Sequence, residues 1–318
     1  MRLKLFFIFT ILYTFNTKAA TFKDTLDLNL KPTTHWTKIN KFQFIFTQNS
    51  FVNWSSGGNN SISGIAKINI KRNYKNNHTV WQNELKANYG LNKEARRELR
   101  KTEDLIDLNA TFGYRKNIVS KWYSSVKFNF KTQFSNGYKY PNTDKPISKF
   151  FSPAYNFMGL GSEYFSKESA LKVYLSPITN KMTFVCNQVL ANEGAFGVKP
   201  AVYDNAGALV TEGENLKIEF GTLISSEWNT EVMENIEMSN KLILYSDYLN
   251  NYGNVDINWE LNFDLTINKF VKANVGSHII YDDDVKHKED INKDGNLVAE
   301  GPKIQLKQLL GVGLFYEF

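Results

Sequence analysis

Apolar and polar positions alternate along the C-terminal segment 302–318. One set of alternate positions is apolar apart from Gln308: Ile304, Leu306, Leu310, Val312, Leu314, Tyr316 and Phe318. A period of two is typical of a β-strand with two different faces. The segment is more than twice as long as an ordinary strand of about 5–6 residues, and it ends in an aromatic residue. These features match the closing strand of a membrane β-barrel, which needs about 10 residues to cross the hydrocarbon layer.

Eleven further segments alternate in the same way. The pattern is clearest between residues 255 and 267, where odd-numbered positions are apolar and even-numbered positions are polar. The other segments lie near residues 42–46, 62–70, 81–91, 106–114, 122–134, 154–165, 171–175, 216–228, 236–244 and 271–281. An even strand number places both chain ends on one side, as bacterial outer-membrane barrels require. We therefore predict an all-β fold, an up-and-down antiparallel transmembrane β-barrel of about twelve strands over residues 41–318.

The connections alternate in length. Long ones are predicted after odd-numbered strands, around residues 92–103, 135–150, 176–213 and 282–301. Long external loops and short periplasmic turns are the expected asymmetry of such barrels, although the short connection around 247–254 fits least well. The longest stretch, 176–213, is apolar enough either to fold into the lumen as a plug or to protrude as a lid. We expect it to determine specificity, with Phe196 as a candidate residue.

The direction of the apolar face needs separate arguments, because a soluble barrel or sandwich turns that face inward. The predicted polar face carries charges of both signs: Lys67, Lys71, Glu84, Lys86, Asp107, Lys127, Lys131, Glu219, Lys241, Asp256, Glu260 and Asp264. Inside a lumen such charges pair with one another or with water. Aromatic residues are also predicted at the periplasmic rim, as in membrane barrels: Trp81, Tyr114, Trp122, Trp228, Tyr316 and Phe318. Both features favour an apolar face toward lipid.

The N-terminal residues 1–20 have the features of a cleaved secretory signal peptide. Arg2 and Lys4 precede an apolar run over residues 5–15, and cleavage is expected after Ala19 or Ala20. The run is much shorter than the roughly 20 residues of a spanning helix. Residues 21–40 are polar and irregular, which indicates a periplasmic lead-in. The predicted location is therefore the bacterial outer membrane.

The composition agrees with a barrel and excludes other classes. The chain has 318 residues, 42% of them hydrophobic, and a mean hydropathy of −0.39. It is too polar for a helical membrane protein, whereas half of each barrel strand faces polar surroundings. Loss of Arg2, Lys4 and Lys18 with the signal peptide lowers the net charge from +6 to +3, which gives no argument for nucleic-acid binding. The single cysteine, Cys186, cannot form an internal disulfide.

Six short motifs are distributed along the chain. They are Asn53-Trp54-Ser-Ser-Gly57-Gly58-Asn-Asn60-Ser61, Leu175-Ser176-Pro177-Ile-Thr179, Gly194-Ala195-Phe196-Gly197-Val198, Asn254-Val255-Asp256-Ile257-Asn258-Trp259-Glu260, Tyr281-Asp-Asp-Asp284 and Gly311-Val-Gly313. They span nearly the whole mature chain and resemble a family of uncharacterised Bacteroidetes proteins labelled as a domain of unknown function (DUF3078). The resemblance implies an outer-membrane β-barrel and supplies neither an activity nor catalytic residues.

No catalytic constellation is expected. Some outer-membrane barrels of this size are phospholipases, which need a serine and a histidine within hydrogen-bond reach. Among the four histidines, His278 lies mid-strand on the polar face, whereas lipid cleavage at the outer wall needs the opposite face. No serine is placed to meet it. We interpret His278 as part of a polar network in the lumen.

The segment 290–295 resembles the first half of a calcium-binding loop. Asp290, Asn292 and Asp294 occupy positions one, three and five, and Gly295 occupies position six, as that cation prefers. Position twelve is Gly301 instead of the bidentate glutamate. An exposed turn explains the same residues. A structural Ca²⁺ therefore stays an alternative, and no other cofactor is expected.

The loop between the first two predicted strands holds further weak ligand candidates: Trp54, Gly57, Gly58, Asn59 and Asn60. An exposed tryptophan beside amide groups stacks on and hydrogen-bonds sugars or lipid headgroups. A turn whose tryptophan sits at the membrane interface explains the same residues. The predicted partners are outer-membrane lipid and, through the terminal Phe318, the insertion machinery of that membrane.

Three hypotheses about function follow from the architecture. The first is a porin-like channel for small solutes, an analogy from the fold rather than from a site. The second is a non-conducting structural or adhesion barrel that binds partners through its external loops, because a barrel of this size also accommodates a filled lumen. The third is a lipid-modifying enzyme.

Overall fold

The computed structural model describes residues 35–50, 59–166, 169–250, 252–289 and 298–318. The predicted signal peptide and the lead-in up to residue 34 lie outside the described residues. Within the described ranges, no helix is both long enough and apolar enough to cross a membrane.

Twelve antiparallel strands form a closed barrel in which each strand pairs with the next and the last pairs with the first. This confirms the predicted fold and strand number. The strands are β1 Trp36–Asn49, β2 Ser61–Lys75, β3 Thr79–Glu94, β4 Arg100–Tyr114, β5 Trp122–Thr132, β6 Ala154–Ser166, β7 Leu171–Phe184, β8 Leu216–Met233, β9 Ile236–Asp247, β10 Asp256–Thr266, β11 Val271–Tyr281 and β12 Gln305–Glu317. Their alternation of outward apolar and inward polar residues satisfies two different surroundings at once.

Small secondary-structure elements lie at one end of the barrel. They are the short helix α1 Gln188–Asn192, a 3₁₀ turn Ala195–Gly197 and three two-stranded ribbons, Gly137–Tyr138 with Pro146–Ser148, Val202–Tyr203 with Leu209–Thr211 and Lys286–Glu289 with Val298–Pro302. All of them follow odd-numbered strands, so this end is the predicted external side. The opposite end carries the short turns, for example residues 76–78 and 234–235.

Several predicted boundaries differ from the structure. The closing strand was predicted from residue 302, but it begins at Gln305, and Pro302 belongs to a two-stranded ribbon. β1 begins at Trp36, so the last residues of the predicted lead-in belong to the barrel. The connection predicted over 92–103 shrinks to 95–99 because β3 and β4 continue past the last clearly apolar positions. The long loop covers 185–215 rather than 176–213, since β7 continues to Phe184.

A β-bulge explains why the sequence pattern did not predict the second half of β7. Its pairing with β6 and with β8 shifts register on either side of Pro177. Pro177 and Ile178 both face outward, after which Thr179, Lys181 and Thr183 face inward. A bulge adds one residue to a strand and so reverses the phase of its alternation. The apolar pattern therefore breaks at Pro177 although the strand does not.

Large apolar side chains cover the outside of the barrel. Exposed examples are Phe42, Phe44, Phe46, Ile62, Ile68, Leu108, Phe112, Met158, Leu160, Ile218, Phe220, Ile224, Leu306, Leu310, Val312 and Leu314. A water-soluble protein does not expose a continuous apolar surface of this extent. At the end with the short turns this belt is bordered by exposed aromatic residues: Trp36, Trp81, Tyr114, Trp122, Trp228, Tyr316 and Phe318. The arrangement is that of strands crossing lipid between interfacial aromatic residues.

The barrel closes along a short seam between β1 and β12. The register pairs of this seam run from Lys41 opposite Glu317 to Ile45 opposite Gly313. On its other side, β1 pairs with β2 along its whole length. The seam is therefore the shorter of the two ladders that β1 forms.

Gly313 lies in this seam, and we expect Gly313→Val to hinder closure of the barrel. A Cβ atom at Gly313 would lie 2.5 Å from the Phe44 carbonyl oxygen and 3.0 Å from the Ile45 Cα atom. Backbone atoms cannot move aside without breaking the ladder, and overpacking of this kind costs about 1–3 kcal/mol. The folded band of the protein on unheated SDS gels should be lost at a lower temperature. In the control Gly301→Val, the added Cβ atom meets no described atom within 4 Å, and equal melting of both variants would contradict the prediction.

Candidate functional site

The lumen holds a cavity of about 790 Å³, here called the chamber. Its wall consists mainly of inward-facing side chains of the barrel strands, and lysines, carboxylates and asparagine amides predominate among them. Charges of both signs line the chamber, so their total does not decide which solutes it accepts. Solute preference depends instead on where the charges lie and which partners they have.

One row of inward residues is charged or titratable around half of the barrel, and its first four members alternate in sign. Neighbouring strands from β7 to β12 contribute Lys172, Glu227, Lys241, Glu260, His278 and Lys307, each directly opposite the next. Directly opposite residues in antiparallel strands have Cβ atoms about 4.5–5.5 Å apart. Because barrel strands tilt by about 35–45°, a row at right angles to the strands climbs along the wall. The row therefore forms a charged path along the lumen.

A second row lines the opposite wall. It contains Asn69, Lys86, Asp107, Lys131 and Tyr155 on β2 to β6. Asp107 lies between two lysines but is bound by amides, with the Asn129 and Asn109 Nδ2 atoms 2.6 Å and 2.9 Å from its carboxylate. The Lys131 ammonium is 3.9 Å from the same carboxylate. Both rows contribute residues to the chamber wall, whereas Lys172 and Glu227 line the smaller cavity described next.

The lumen narrows at Lys127, toward the end of the barrel that carries the short turns. Beyond it lies a second cavity of about 90 Å³, which has room for only a few water molecules of about 30 Å³ each. Four residues line both cavities: Asn109, Lys127, Tyr174 and Ser225. The Lys127 ammonium donates to Ser225 Oγ at 3.3 Å and lies 5.2 Å from the centre of the Tyr174 ring. These four residues form what we call the constriction.

A second lysine bridges the lumen between the constriction and the short turns. Lys172 Nζ on β7 donates to Gln82 Oε1 on β3 at 2.9 Å. Three strands separate β3 from β7 along the wall, so this contact crosses the lumen. Lysine side chains change rotamer rapidly when they are not packed. The narrow part of the lumen is thus closed by movable side chains and not by backbone.

A buried charge network occupies the external end of the chamber. Only 5% of the Lys181 side chain is exposed, and its ammonium lies 2.7 Å from Asp256 and 3.5 Å from both Glu219 and Asp282. Glu219 is itself fully buried. The network joins β7, β8, β10 and the connection after β11, and so fixes that end of the wall.

Residues 185–215, here called the lid, form a small packed unit with its own apolar core of Val185, Leu190, Ala191 and Val198. The side chain of Asn187 caps α1 by accepting from the Leu190 amide at 3.3 Å. These contacts give the lid a defined structure. It is neither a strand of the barrel nor a chain folded deep into the lumen.

The lid reaches from one side of the external mouth to the other. On one side the Asn187 amide donates to Ser152 Oγ at 2.8 Å, in the connection between β5 and β6. On the other side Gly197 lies against Asp284, which also pairs with Lys217 of β8. Phe196, with a φ of 59°, lines the chamber. The long connection therefore covers the mouth and directs an aromatic ring at the chamber.

The structure places the predicted site residues as follows. Phe196 lines the chamber, and its influence on specificity stays a prediction. Asn59 and Asn60 are exposed just before β2 and do not line the chamber. The remaining candidates lie outside the described residues: Trp54, Gly57, Gly58, Asp290, Asn292 and Asp294.

His278 faces the chamber and not the lipid. Its Nε2 atom is 3.0 Å from Asn258 Oδ1 and 3.8 Å from Glu260. This agrees with its interpretation as a member of a polar lumen network. The histidine therefore faces the lumen and not the lipid at the outer wall.

Sequence analysis missed two of the residues that shape the lumen. Lys172 alternates with Leu171 and Val173, so its inward direction was available from the pattern. Lys181 follows the bulge at Pro177, where the phase of β7 reverses, and the alternation gives no signal for it.

A closed barrel with an apolar outer belt and a charged lumen defines the class, an outer-membrane-type transmembrane β-barrel. Residues 46–138 match the family described as "Protein of unknown function (DUF3078)". This match confirms the family resemblance over that segment. The chain has no match among curated protein sequences.

Solved structures with a similar outline are barrels of outer membranes. The COG4313 outer membrane channel from Pseudomonas putida F1 has a TM-score of 0.39 and 10% identity, over 93% of this chain and all of that one. The NanC porin has a TM-score of 0.35 and 8% identity, over 87% and 98%. The translocator domain of the autotransporter NalP from Neisseria meningitidis has a TM-score of 0.34 and 11% identity, over 89% and 88%. The similarity concerns the fold alone.

Proposed function

We propose that the protein is a porin-like channel that passes small solutes through the outer membrane. The observation that carries this proposal is that two cavities of the lumen adjoin: the chamber of about 790 Å³ and the cavity of about 90 Å³ share the four constriction residues. All four belong to barrel strands, so side chains rather than a loop separate the two cavities. A lysine rotamer change is a smaller rearrangement than removal of a folded plug.

The wall of the chamber carries polar groups that can replace the water shell of a solute. Amide side chains lie between the charges of both rows, among them Asn88, Asn129, Asn258 and Asn262. Each is both a donor and an acceptor of hydrogen bonds. A polar solute therefore exchanges water for wall contacts on entry, and passage requires Lys127 and Lys172 to release Ser225 and Gln82. Pore width, lining groups and electrostatic barriers then select the solute.

The experiment is single-channel recording of the purified, refolded protein in planar lipid bilayers. We expect small, discrete conductance steps, because the constriction is narrow and changes with side-chain rotamers. Folding is checked on the same sample by its mobility on unheated SDS gels. A folded barrel that inserts into the bilayer and never conducts would overturn the proposal.

A non-conducting barrel is the second candidate, and two observations favour it. The lid spans the external mouth, and the Lys172–Gln82 hydrogen bond of 2.9 Å crosses the lumen. Under this alternative the exposed ribbon Val202–Tyr203 with Leu209–Thr211 is the part that meets a partner. The same recording separates the candidates, since this one requires the absence of conductance in the wild-type protein.

We further infer that residues 1–20 direct export and that Phe318 is recognised during insertion. The Phe318 side chain is 69% exposed and stacks on Tyr316 with ring centres 5.4 Å apart. Its amide donates to the Asn40 carbonyl at 3.0 Å, which fixes the chain end at the seam. An accessible aromatic terminus at the periplasmic rim supports this inference.

A further inference from the structure

Five lysines form a cluster on the wall of the chamber. They are Lys67 on β2, Lys86 on β3, Lys127 and Lys131 on β5 and Lys241 on β9, and all of them line the same cavity. Lys127 and Lys131 each interact electrostatically with Lys241, and carboxylates beyond direct contact act on them as well: Glu227 on Lys127, and Glu260 on Lys131. Their positive charges therefore border one cavity of the lumen.

The lysines of this cluster have few close counter-charges. Within the described part of the chain, no carboxylate lies within 4.0 Å of the ammonium groups of Lys67, Lys127 or Lys241. Lys86 and Lys131 have one each, at the long distances of 3.8 Å and 3.9 Å. An ammonium that is held away from water without a close anion is unfavourable. The cluster is thus electrostatically incomplete.

Most carboxylates that share the chamber are held by other partners. Asp104 accepts from Lys101 Nζ at 2.7 Å and Asp264 accepts from Asn274 Nδ2 at 2.6 Å. Asp256 is bound to Lys181 at 2.7 Å, and Glu103 is paired with Lys307. Carboxylates held by such hydrogen bonds would have to break them before they could change rotamer and pair with the lysines of the cluster.

Glu227 and Glu260 are the nearest acidic members of the row and lie on either side of Lys241. Both are directly opposite Lys241 in the ladder, yet neither carboxylate comes within 4.0 Å of its ammonium. Glu260 contacts His278 at 3.8 Å, and Glu227 lines the smaller cavity beyond the constriction. The row therefore leaves space beside Lys241 instead of closing on it.

We propose that Lys67, Lys86, Lys127, Lys131 and Lys241 form the binding subsite for the carboxylate or phosphate group of a small solute, so that the channel prefers anions. The inference rests on the proposed channel function and names its substrate class. Ammonium groups bind carboxylate and phosphate oxygens as point charges, and charge-assisted hydrogen bonds are the strong ones. The asparagine amides between the lysines supply further donors to the remaining oxygens.

The first test measures the reversal potential of the channel in a KCl gradient. The wild-type protein is expected to favour Cl⁻. The variant Lys67→Gln/Lys131→Gln/Lys241→Gln should lower the anion-to-cation permeability ratio by roughly fivefold, which corresponds to about 1 kcal/mol. The control Lys139→Gln/Lys145→Gln/Lys199→Gln removes the same charge from exposed residues of the external loops and should leave the ratio unchanged. An equal ratio in both variants would overturn the subsite while leaving the channel in place.

The second test does not depend on conductance. Isothermal titration of the refolded protein in detergent with inorganic phosphate is expected to show saturable binding, which the lumen variant weakens and the control retains. If the wild-type barrel never conducts but binds phosphate in this manner, the channel proposal fails and the anion subsite stands. Absence of saturable binding, or equal binding by all three proteins, overturns the subsite. The single variant Lys241→Gln replaces the triple variant if the latter does not refold.

Discussion

Lys127→Ala is expected to raise the single-channel conductance by roughly two- to fivefold, since the narrowest part of a pore sets its conductance. The Lys127 side chain is the only long flexible member of the four residues that line both cavities. Its truncation removes the 3.3 Å contact with Ser225 and joins the chamber to the cavity beyond. Tyr174, whose ring packs beneath the ammonium, stays in the wall.

The double variant Lys127→Ala/Lys172→Ala should conduct more than either single variant because it also removes the bridge to Gln82. Lys116→Ala, in the exposed turn between β4 and β5, is the matched control and should conduct like the wild-type protein. Recordings in the same salt solution decide the matter. A double variant with the wild-type conductance would contradict the assignment of the constriction.

Lys181→Met is expected to cost about 3–5 kcal/mol of unfolding free energy, the typical effect of breaking a buried ion pair on one side. The substitution leaves Glu219, Asp256 and Asp282 close together without their shared cation. Carboxylates removed from water cannot regain their hydration there. Methionine is one atom shorter than lysine but keeps most of its apolar volume, so we expect the loss to be mainly electrostatic.

Urea unfolding in detergent, followed by tryptophan fluorescence, measures this effect. Lys199→Met is the control, because Lys199 pairs with Glu214 at 3.6 Å with 72% and 57% of the two side chains exposed. Exposed pairs contribute at most about 1 kcal/mol. The interpretation fails if both substitutions shift the urea midpoint equally.

The sequence predicted the strands in which two different surroundings constrain alternate residues. β10 is the best example, since lipid demands Trp259 and Phe263 on one face while the lumen accepts Glu260 and Asp264 on the other. β7 was predicted only in part, because the bulge at Pro177 reverses the phase of the pattern. A local defect that keeps the ladder intact is invisible to a rule of fixed period.

The inward lysines were also predictable, whereas their role in closing the lumen was not. Alternation alone places Lys86, Lys127 and Lys241 on the polar face. The contact between Lys172 and Gln82 joins residues 90 positions apart, and it depends on the tilt and stagger of strands that no local pattern specifies. The lid presents the same difficulty, as its contacts with Ser152 and Asp284 come from loops without a period.

The seam between β1 and β12 has a consequence for the folding of the barrel. Every other ladder of the barrel joins strands adjacent in the chain and forms as a hairpin with modest loss of entropy. The seam alone brings residue 41 to residue 317, and non-local pairing of this kind is the slow event in folding. Until it forms, two strand edges remain unpaired, and an unpaired edge is costly in hydrocarbon. We therefore expect the first and last barrel strands to pair last, in an environment that protects both edges until they meet.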